Sequence, residues 1–419
     1  MLNKNTEVLL HLSLAEKIGP ATVYKILHKL LLDQNPNLLD PDWSDIAKNV
    51  INLDLSVIYD YLVSDFITKS GLSVNCAQQV YSSLSDHQVL ERELVLAEKN
   101  NIKIVDILSS DYPEILRQIH FPPVVLYISG SEIDQKSKHF GIVGSRNADA
   151  YAFDVIQNIV PTLISNKWVI VSGGANGADT MAHRMTLNHG GRTVVVLGSG
   201  LLCPYPANNI DLFKTVVDSG STVISPFPLN RQPDRGTFPA RNRIISGLSM
   251  GCLVVQAALK SGALITARCA LEQGRLVFAI PGKIDDKLSA GCNELIKQGA
   301  KLVCGPNDIL EEFGEYLTNE SLHGEHVSGS RMSGDHLSDN NRPSRTFKPA
   351  KKIERQIDII GMGAGHCDDV VLCSIDKACT LDELLVKTGL EFDELQDRLF
   401  NLQLEGKVKQ NFSGAWEKI

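Results

Sequence analysis

From Phe140 onward the chain alternates short runs of β-branched and aliphatic residues with longer amphipathic stretches. The runs predict strands at Gly141–Gly144, Trp168–Ser172, Thr193–Leu197, Thr222–Ser225, Gly251–Gln256, Leu276–Ile280 and Lys301–Cys304. Amphipathic segments such as Ala152–Ile164, Asp179–Asn188 and Ile265–Gln273 predict helices between them. Near-continuous apolar strands alternating with helices indicate an α/β domain with a mostly parallel sheet covered on both faces. Before Ser85 the spacing is helical, with two candidate helix-hairpin-helix turns, at Ile18-Gly19-Pro20 and at Ser70-Gly71-Leu72-Ser73. Residues 314–355 are mostly Ser, Gly, His, Asn, Asp and Arg, a composition that predicts a disordered linker. The expected organisation is therefore a helical piece over 1–85, an α/β domain over 86–313, the linker, and a small domain over 356–419.

Composition narrows the setting. No run approaches the roughly 18 apolar residues of a membrane span, and the N-terminus reads as the start of a helix, not as a signal peptide. Nine scattered cysteines without a CxxC pair predict reduced thiols and a cytoplasmic protein. His366, Cys367, Cys373 and Cys379 do not have zinc spacing, so no metal is expected. The net charge of −8 disguises an uneven distribution. Between His139 and Lys301 there are 16 Lys/Arg against 10 Asp/Glu, and a phosphate backbone feels that local surplus within about 8–10 Å.

Ligands of parallel sheets bind outside the carboxyl ends of the strands. Four glycine-rich turns fall there: Gly144-Ser145-Arg146, Ser172-Gly173-Gly174 continuing to Asp179, Gly198-Ser199-Gly200, and Ser261-Gly262 continuing to Thr266. Tight βα turns need glycine in any case. Four at one edge, one of them with an arginine, predict an anion-binding cleft. The anion is not a dinucleotide held by GxGxxG, and no Walker lysine occurs. Nothing pairs an acid with a base or a nucleophile with an ordered base, so no catalytic residue is expected. His183 is expected to pack its helix and Asp179 to cap it. The segment Arg235-Gly236-Thr237-Phe238-Pro239-Ala240-Arg241-Asn242-Arg243 sets three arginines round one aromatic. Composition leaves two readings open. Either the arginines hold phosphates while Phe238 stacks on a base, or Phe238 is buried and Arg241 and Arg243 are structural.

The string FPARNRIISGLS, Phe238–Ser249, resembles the signature of the DNA-processing protein A (DprA/Smf) family. Asp111-Tyr112-Pro113, Phe121–Tyr127, Gly141–Arg146, Ser172–Asp179, Tyr205-Pro206, Ser261–Arg268, Gln273–Arg275, Pro281-Gly282, Gly291–Leu295 and Gly299-Ala300 follow in family order. The resemblance covers most of Asp111–Phe313. It implies an extended Rossmann-like fold that binds single-stranded DNA without sequence preference, shields incoming DNA in natural transformation, and helps load the RecA recombinase. It also implies a homodimer with no catalysis and no cofactor. The family's DNA-contacting positions fall on Arg146, Arg235, Phe238, Arg241 and Arg243, with Gly144, Ser145, Ser172, Gly173, Gly174, Asn242, Ser261, Gly262 and Thr266 around them. Asn176, Pro226 and Gln256 depart from the family pattern, and the first of these removes an arginine. The N-terminal helices resemble the family's SAM-like domain, and the tail resembles a winged helix, with helices at Leu381–Val386 and Phe392–Leu404 and a wing at Lys407–Trp416. From Asp368 to Ile419 there are 11 Asp/Glu against 6 Lys/Arg, which favours protein contact or packing over duplex binding.

The leading expectation is a DNA-binding mediator. Its rival is a Rossmann-like nucleotide-binding sensor or nucleotide hydrolase, with Asp179 the one nearby carboxylate. A pure interaction scaffold would leave the basic cleft unexplained.

Overall fold

The computed structural model describes residues 3–34 apart from 17, residues 54–314, most of 370–390 and scattered positions from there to 418. Nine strands form one sheet: β1 Lys103–Asp106, β2 Val125–Gly130, β3 Lys138–Val143, β4 Trp168–Ser172, β5 Thr193–Val196, β6 Thr222–Ser225, β7 Gly251–Val254, β8 Leu276–Ala279 and β9 Lys301–Leu302. Their order is β1-β2-β6-β5-β4-β3-β7-β8-β9. From β6 to β9 every pairing is parallel. β1 and β2 extend the sheet antiparallel beside β6. All seven predicted strands are present, although β3 begins earlier and β9 is shorter than the pattern suggested.

Side chains alternate along the central strands and bury both faces. Phe140, Ile142, Trp168 and Ile170 pack with Ile156, Ile159, Val160 and Leu163 of the helix Ala150–Ser165. Val143, Val169 and Val171 face the opposite way, into a core shared with Ile244, Ile245 and Leu248. Each such side chain contributes roughly 1.5–3 kcal/mol on full burial. Chain order also sets a switch point. β4, β5 and β6 lie to one side of β3, while β7 and β8 lie to the other.

The N-terminal helices are one layer of this same body. Lys4–Leu14 and Pro20–Gln34 flank the first predicted turn, and Val63–Thr68 and Val74–Leu84 flank the second, where Gly71 takes φ +66°. Thr6 Oγ1 donates to Asp106 Oδ2 of β1 at 2.7 Å. Val8, Leu9, Leu12, Val80 and Leu90 join the hydrophobic core that also holds β2. Residue 85 therefore marks a change of layer and not of body, because the apolar helix faces have the sheet as their partner. The first compact unit spans Met1–Gly329.

The second unit spans Ser330–Ile419. Its described residues include the helices Val370–Ser374 and Leu381–Thr388 and an antiparallel pair, β10 Val408–Gln410 and β11 Trp416–Lys418. Val371, Leu384, Leu395, Leu399, Leu402 and Val408 form its core. The helix expected at Phe392–Leu404 falls mostly outside the described residues, as do His366, Cys367 and the predicted linker beyond Gly314. Among the described residues no helix is long and apolar enough to cross a membrane, and no cluster of His, Cys, Asp or Glu is placed to hold a metal.

Candidate nucleic-acid interface

The loops after β3 and β4 interlock. Gly177 takes φ +79°, and a Cβ there would lie 2.3 Å from the carbonyl oxygen of Ser145. The amide of Ala178 donates to that same carbonyl at 3.1 Å. A Cβ on Gly144 would lie 2.7 Å from the Cβ of Ala178. Ser145 is buried, and its Oγ accepts from the amide of Asn147 at 3.1 Å. The first amide of the helix Ala178–Asn188 thus faces protein, and Arg146 projects into solvent from a braced turn.

The glycine-rich turn after β4 holds Ser172, Gly173 and Gly174, and Gly173 also lines an open cleft. All three are buried. Ser172 Oγ donates to the carbonyl of Ile142 at 2.6 Å. The amides of Gly173 and Ala175 donate to Asp179 Oδ2 at 3.2 and 3.3 Å. Asp179 therefore caps the turn before its helix instead of the helix itself. These groups already satisfy one another, leaving the amides of Gly173 and Ala175 engaged within the fold. Burial pushes the Asp179 carboxyl up, opposed by the charge of Arg241 and by those amides.

The turn at Ser261-Gly262 is exposed at Gly262 and passes into a helix whose Thr266 is buried. Ser261 caps its helix by accepting from the amide of Ala263 at 3.3 Å, and the carbonyl of Gly262 accepts from Asn242 Nδ2 at 3.3 Å. Thr266 is 1% exposed. At the switch point between β3 and β7, Gln256 Nε2 donates to Asp149 Oδ1 at 2.9 Å while its Oε1 accepts from the amide of Asp149 at 3.3 Å. The crevice where a dinucleotide would lie in an open α/β sheet is bridged by this reciprocal pair.

The arginine-rich segment is largely helical. The helix Thr237–Gly247 opens on Asp234, whose Oδ1 accepts from the amides of Gly236 and Thr237 at 2.8 and 3.0 Å. Thr237 Oγ1 donates to the carbonyl of Gly198 at 2.6 Å. Arg241 points inward and is 4% exposed. Its Nη1 donates to the carbonyls of Gly173 and Val196, and its Nε to Asn242 Oδ1. Burial lowers its pKa to about 10. Arg243 donates from Nη1 to the carbonyls of Phe121 and His120 at 2.6 and 3.3 Å. Of the two open readings, the structural one holds for Arg241, Asn242 and Arg243, because each has backbone partners that tie separate loops together.

What stays open is a smaller constellation. The Cζ of Arg146 lies 5.2 Å from the ring centroid of Phe238, and the ring of Tyr205 lies 5.7 Å from it. Phe238 is half-buried over Gly198, where a Cβ would approach its Cδ1 to 2.8 Å. Arg146, Gly173, Ala175, Asn176, Tyr205, Pro206, Phe238 and Arg241 line a cleft of about 70 Å³. Arg235 is exposed just before the helix that carries Phe238. In the sequence Tyr205 stands out only as part of a family motif and Asn176 only as a departure from the family pattern. Both reach the site because the turns after β5 and β4 meet there. His183, as expected, is a packing residue. Its Nδ1 is 2.7 Å from Thr193 Oγ1, and burial lowers its pKa to about 3.

Fold and site together define a Rossmann-like α/β protein whose open cleft consists of a guanidinium and two aromatic rings, beside a closed switch-point crevice. The family model for DNA recombination-mediator protein A matches residues 103–314. The chain is 41% identical over 227 residues to DNA processing protein DprA of Bacillus subtilis, covering 54% of this chain and 76% of that one. It is 32% identical over 352 residues to Protein Smf of Synechocystis, covering 77% and 85%. The solved structure of DNA processing protein A from Streptococcus pneumoniae superposes with a TM-score of 0.56 at 34% identity, covering 71% of this chain and 98% of that one. The chain belongs to the DNA recombination-mediator protein A family.

Proposed function

We propose that this protein binds single-stranded DNA without sequence preference and acts as a non-enzymatic recombination mediator. The observation that carries this is Arg146 set over the face of Phe238 with Tyr205 alongside. A base has a π-face whatever its identity, so aromatic rings stack on it at about 1–3 kcal/mol without reading its edge. Guanidinium groups at Arg146 and Arg235 bind the adjoining phosphates. Duplex DNA keeps its bases stacked on one another, so a half-buried phenylalanine in a shallow cleft favours the single strand. In this reading the contact set is Arg146, Arg235 and Phe238, supplemented by Tyr205 and Asn176. Gly173 and Arg241 also line the cleft, and Gly144, Ser145, Ser172, Gly174, Asn242, Arg243, Ser261, Gly262 and Thr266 belong to the loops and helices around it.

Family membership extends the reading to protection of incoming DNA in natural transformation, loading of RecA recombinase, homodimer assembly, and work in the cytoplasm. The nucleotide-hydrolase rival is disfavoured by two features. The Gln256–Asp149 pair fills the switch point, and Asp179 is committed to the amides of its own turn. The test is a titration of the protein against fluorescent poly-dT and a matched duplex at several salt concentrations, with a nucleotide panel alongside. Salt-sensitive preference for poly-dT supports the proposal. Saturable uptake of one nucleotide without DNA binding overturns it.

A further inference from the structure

The segment Pro226–Gly236 leads from β6 into the helix that bears Phe238, and it carries Arg235. Most of its anchors come from the loop after β5. The amides of Gly200 and Leu202 donate to the carbonyls of Arg231 and Leu229 at 2.8 and 3.0 Å. A Cβ on Gly200 would lie 2.2 Å from the carbonyls of Leu229 and Pro228, so the two loops are in backbone contact. One anchor comes from elsewhere. The amide of Leu229 donates to Glu93 Oε1 at 2.7 Å. Glu93 belongs to the helix His87–Lys99, which precedes the sheet in the chain.

Glu93 is 7% exposed, and it is the one buried acidic side chain before residue 100 among the described residues. Leu229 beside it is fully buried. The Tyr127 hydroxyl of β2 is held well above its ordinary range, first by burial and then by the Glu93 charge. Tyr127 pairs in register with Ser225, and Ser225 Oγ accepts from the amide of Phe227 at 3.0 Å while donating to the carbonyl of Ser199 at 2.7 Å. One carboxylate from the helical layer thus holds the middle of the segment through the Leu229 amide, while its start is tied to Ser199 through Ser225. Burying a carboxylate is costly, and an amide donor at short range compensates it only while the segment keeps this path.

We propose that Glu93 is a positioning residue for the DNA cleft, fixing Pro226–Gly236 so that Arg235 and Phe238 stand opposite Arg146. This rests on the single-strand reading above. Glu93 touches no ligand. It acts through the loop, and it makes the N-terminal helical layer part of the site.

The test uses the full chain and fluorescent poly-dT. Glu93→Ala weakens binding by about fivefold or more, the low end of coupling between linked sites. Glu93→Gln keeps an oxygen acceptor for the Leu229 amide and restores binding to near the wild-type value. In an Arg235→Ala/Phe238→Ala background, adding Glu93→Ala changes affinity by less than about twofold, because the groups it positions are already gone. The inference is overturned if folded Glu93→Ala binds like wild type, or if its full loss persists in that background. Should the Arg235→Ala/Phe238→Ala protein itself bind like wild type, the DNA reading falls and this inference with it.

Discussion

Replacing Arg241 by Met tests the division of the arginines into structural and exposed groups. The Arg241 guanidinium and the Asp179 carboxylate both crowd the space that a side chain on Gly173 would fill. A Cβ at Gly173 would lie 2.5 Å from Arg241 Nη1 and 2.8 Å from Asp179 Oδ2. Methionine fills much of the volume but leaves the carbonyls of Gly173 and Val196 without this donor and Asp179 without its buried counter-charge. Breaking a buried charge pair from one side costs about 3–5 kcal/mol. For a unit of this size that corresponds to a fall in Tm of about 10 °C. Asp179→Asn keeps an oxygen for the amides of Gly173 and Ala175 while removing the stranded charge, so Arg241→Met/Asp179→Asn recovers part of the loss. Arg146→Ala, on an exposed turn, stays within about 0.5 kcal/mol of wild type. Thermal denaturation of the four proteins reads all of this. An Arg241→Met protein as stable as wild type, with a selective loss of DNA affinity, would refute the structural assignment.

Other consequences are equally open to measurement. His183, depressed to about 3 by burial, binds fewer protons folded than unfolded between that value and 6.5. Stability from this residue is therefore full above pH 6.5 and falls as pH drops, by up to about 1.4 kcal/mol per pH unit. His11, also lowered by burial, adds in the same direction. Urea titrations between pH 4.5 and 7 should show the slope, and His183→Gln should flatten it. Gly177→Ala places a Cβ at φ +79° against the Ser145 carbonyl, and should cost about 2 kcal/mol or more in the same denaturation assay. Phe238→Ala should weaken poly-dT binding by about 1–3 kcal/mol per stacked base and leave its salt dependence intact, since no phosphate contact is lost. A changed slope with an unchanged affinity at low salt would contradict the stacking role.

The sheet was legible because strands buried on both faces read as continuous apolar runs. Trp168–Ser172 and Thr222–Ser225 appear at their predicted limits. β1 and β2 precede Phe140, where the predicted alternation begins, although Val125–Ile128 is as apolar and as buried as the predicted strands. Lys103–Asp106 is also too short to show a period. The cleft was legible in part. Gly144–Arg146 and Phe238 lie where the ends of parallel strands should put them. Three arginines round an aromatic looked alike in the sequence, yet only Arg235 is exposed. Arg241 and Arg243 are turned onto carbonyls of loops more than 40 residues away in the chain, a partnership local spacing does not encode. The glycine-rich turn carries a related ambiguity, since Gly173 lines the cleft and also packs on a group of the fold. Glycines announce close approach of backbone, but the approaching group at Gly173 is the protein's own Asp179, six residues on.

The central claim is that Arg146 and Arg235 hold phosphates of a single strand beside Phe238. The most direct measurement is the salt dependence of poly-dT binding by wild type and by Arg146→Ala/Arg235→Ala. Each phosphate contact on a single strand contributes about 0.7 to the slope of log K against log salt, so the double variant should bind more weakly with a slope smaller by about 1.4. A folded double variant with wild-type affinity and slope would contradict the account.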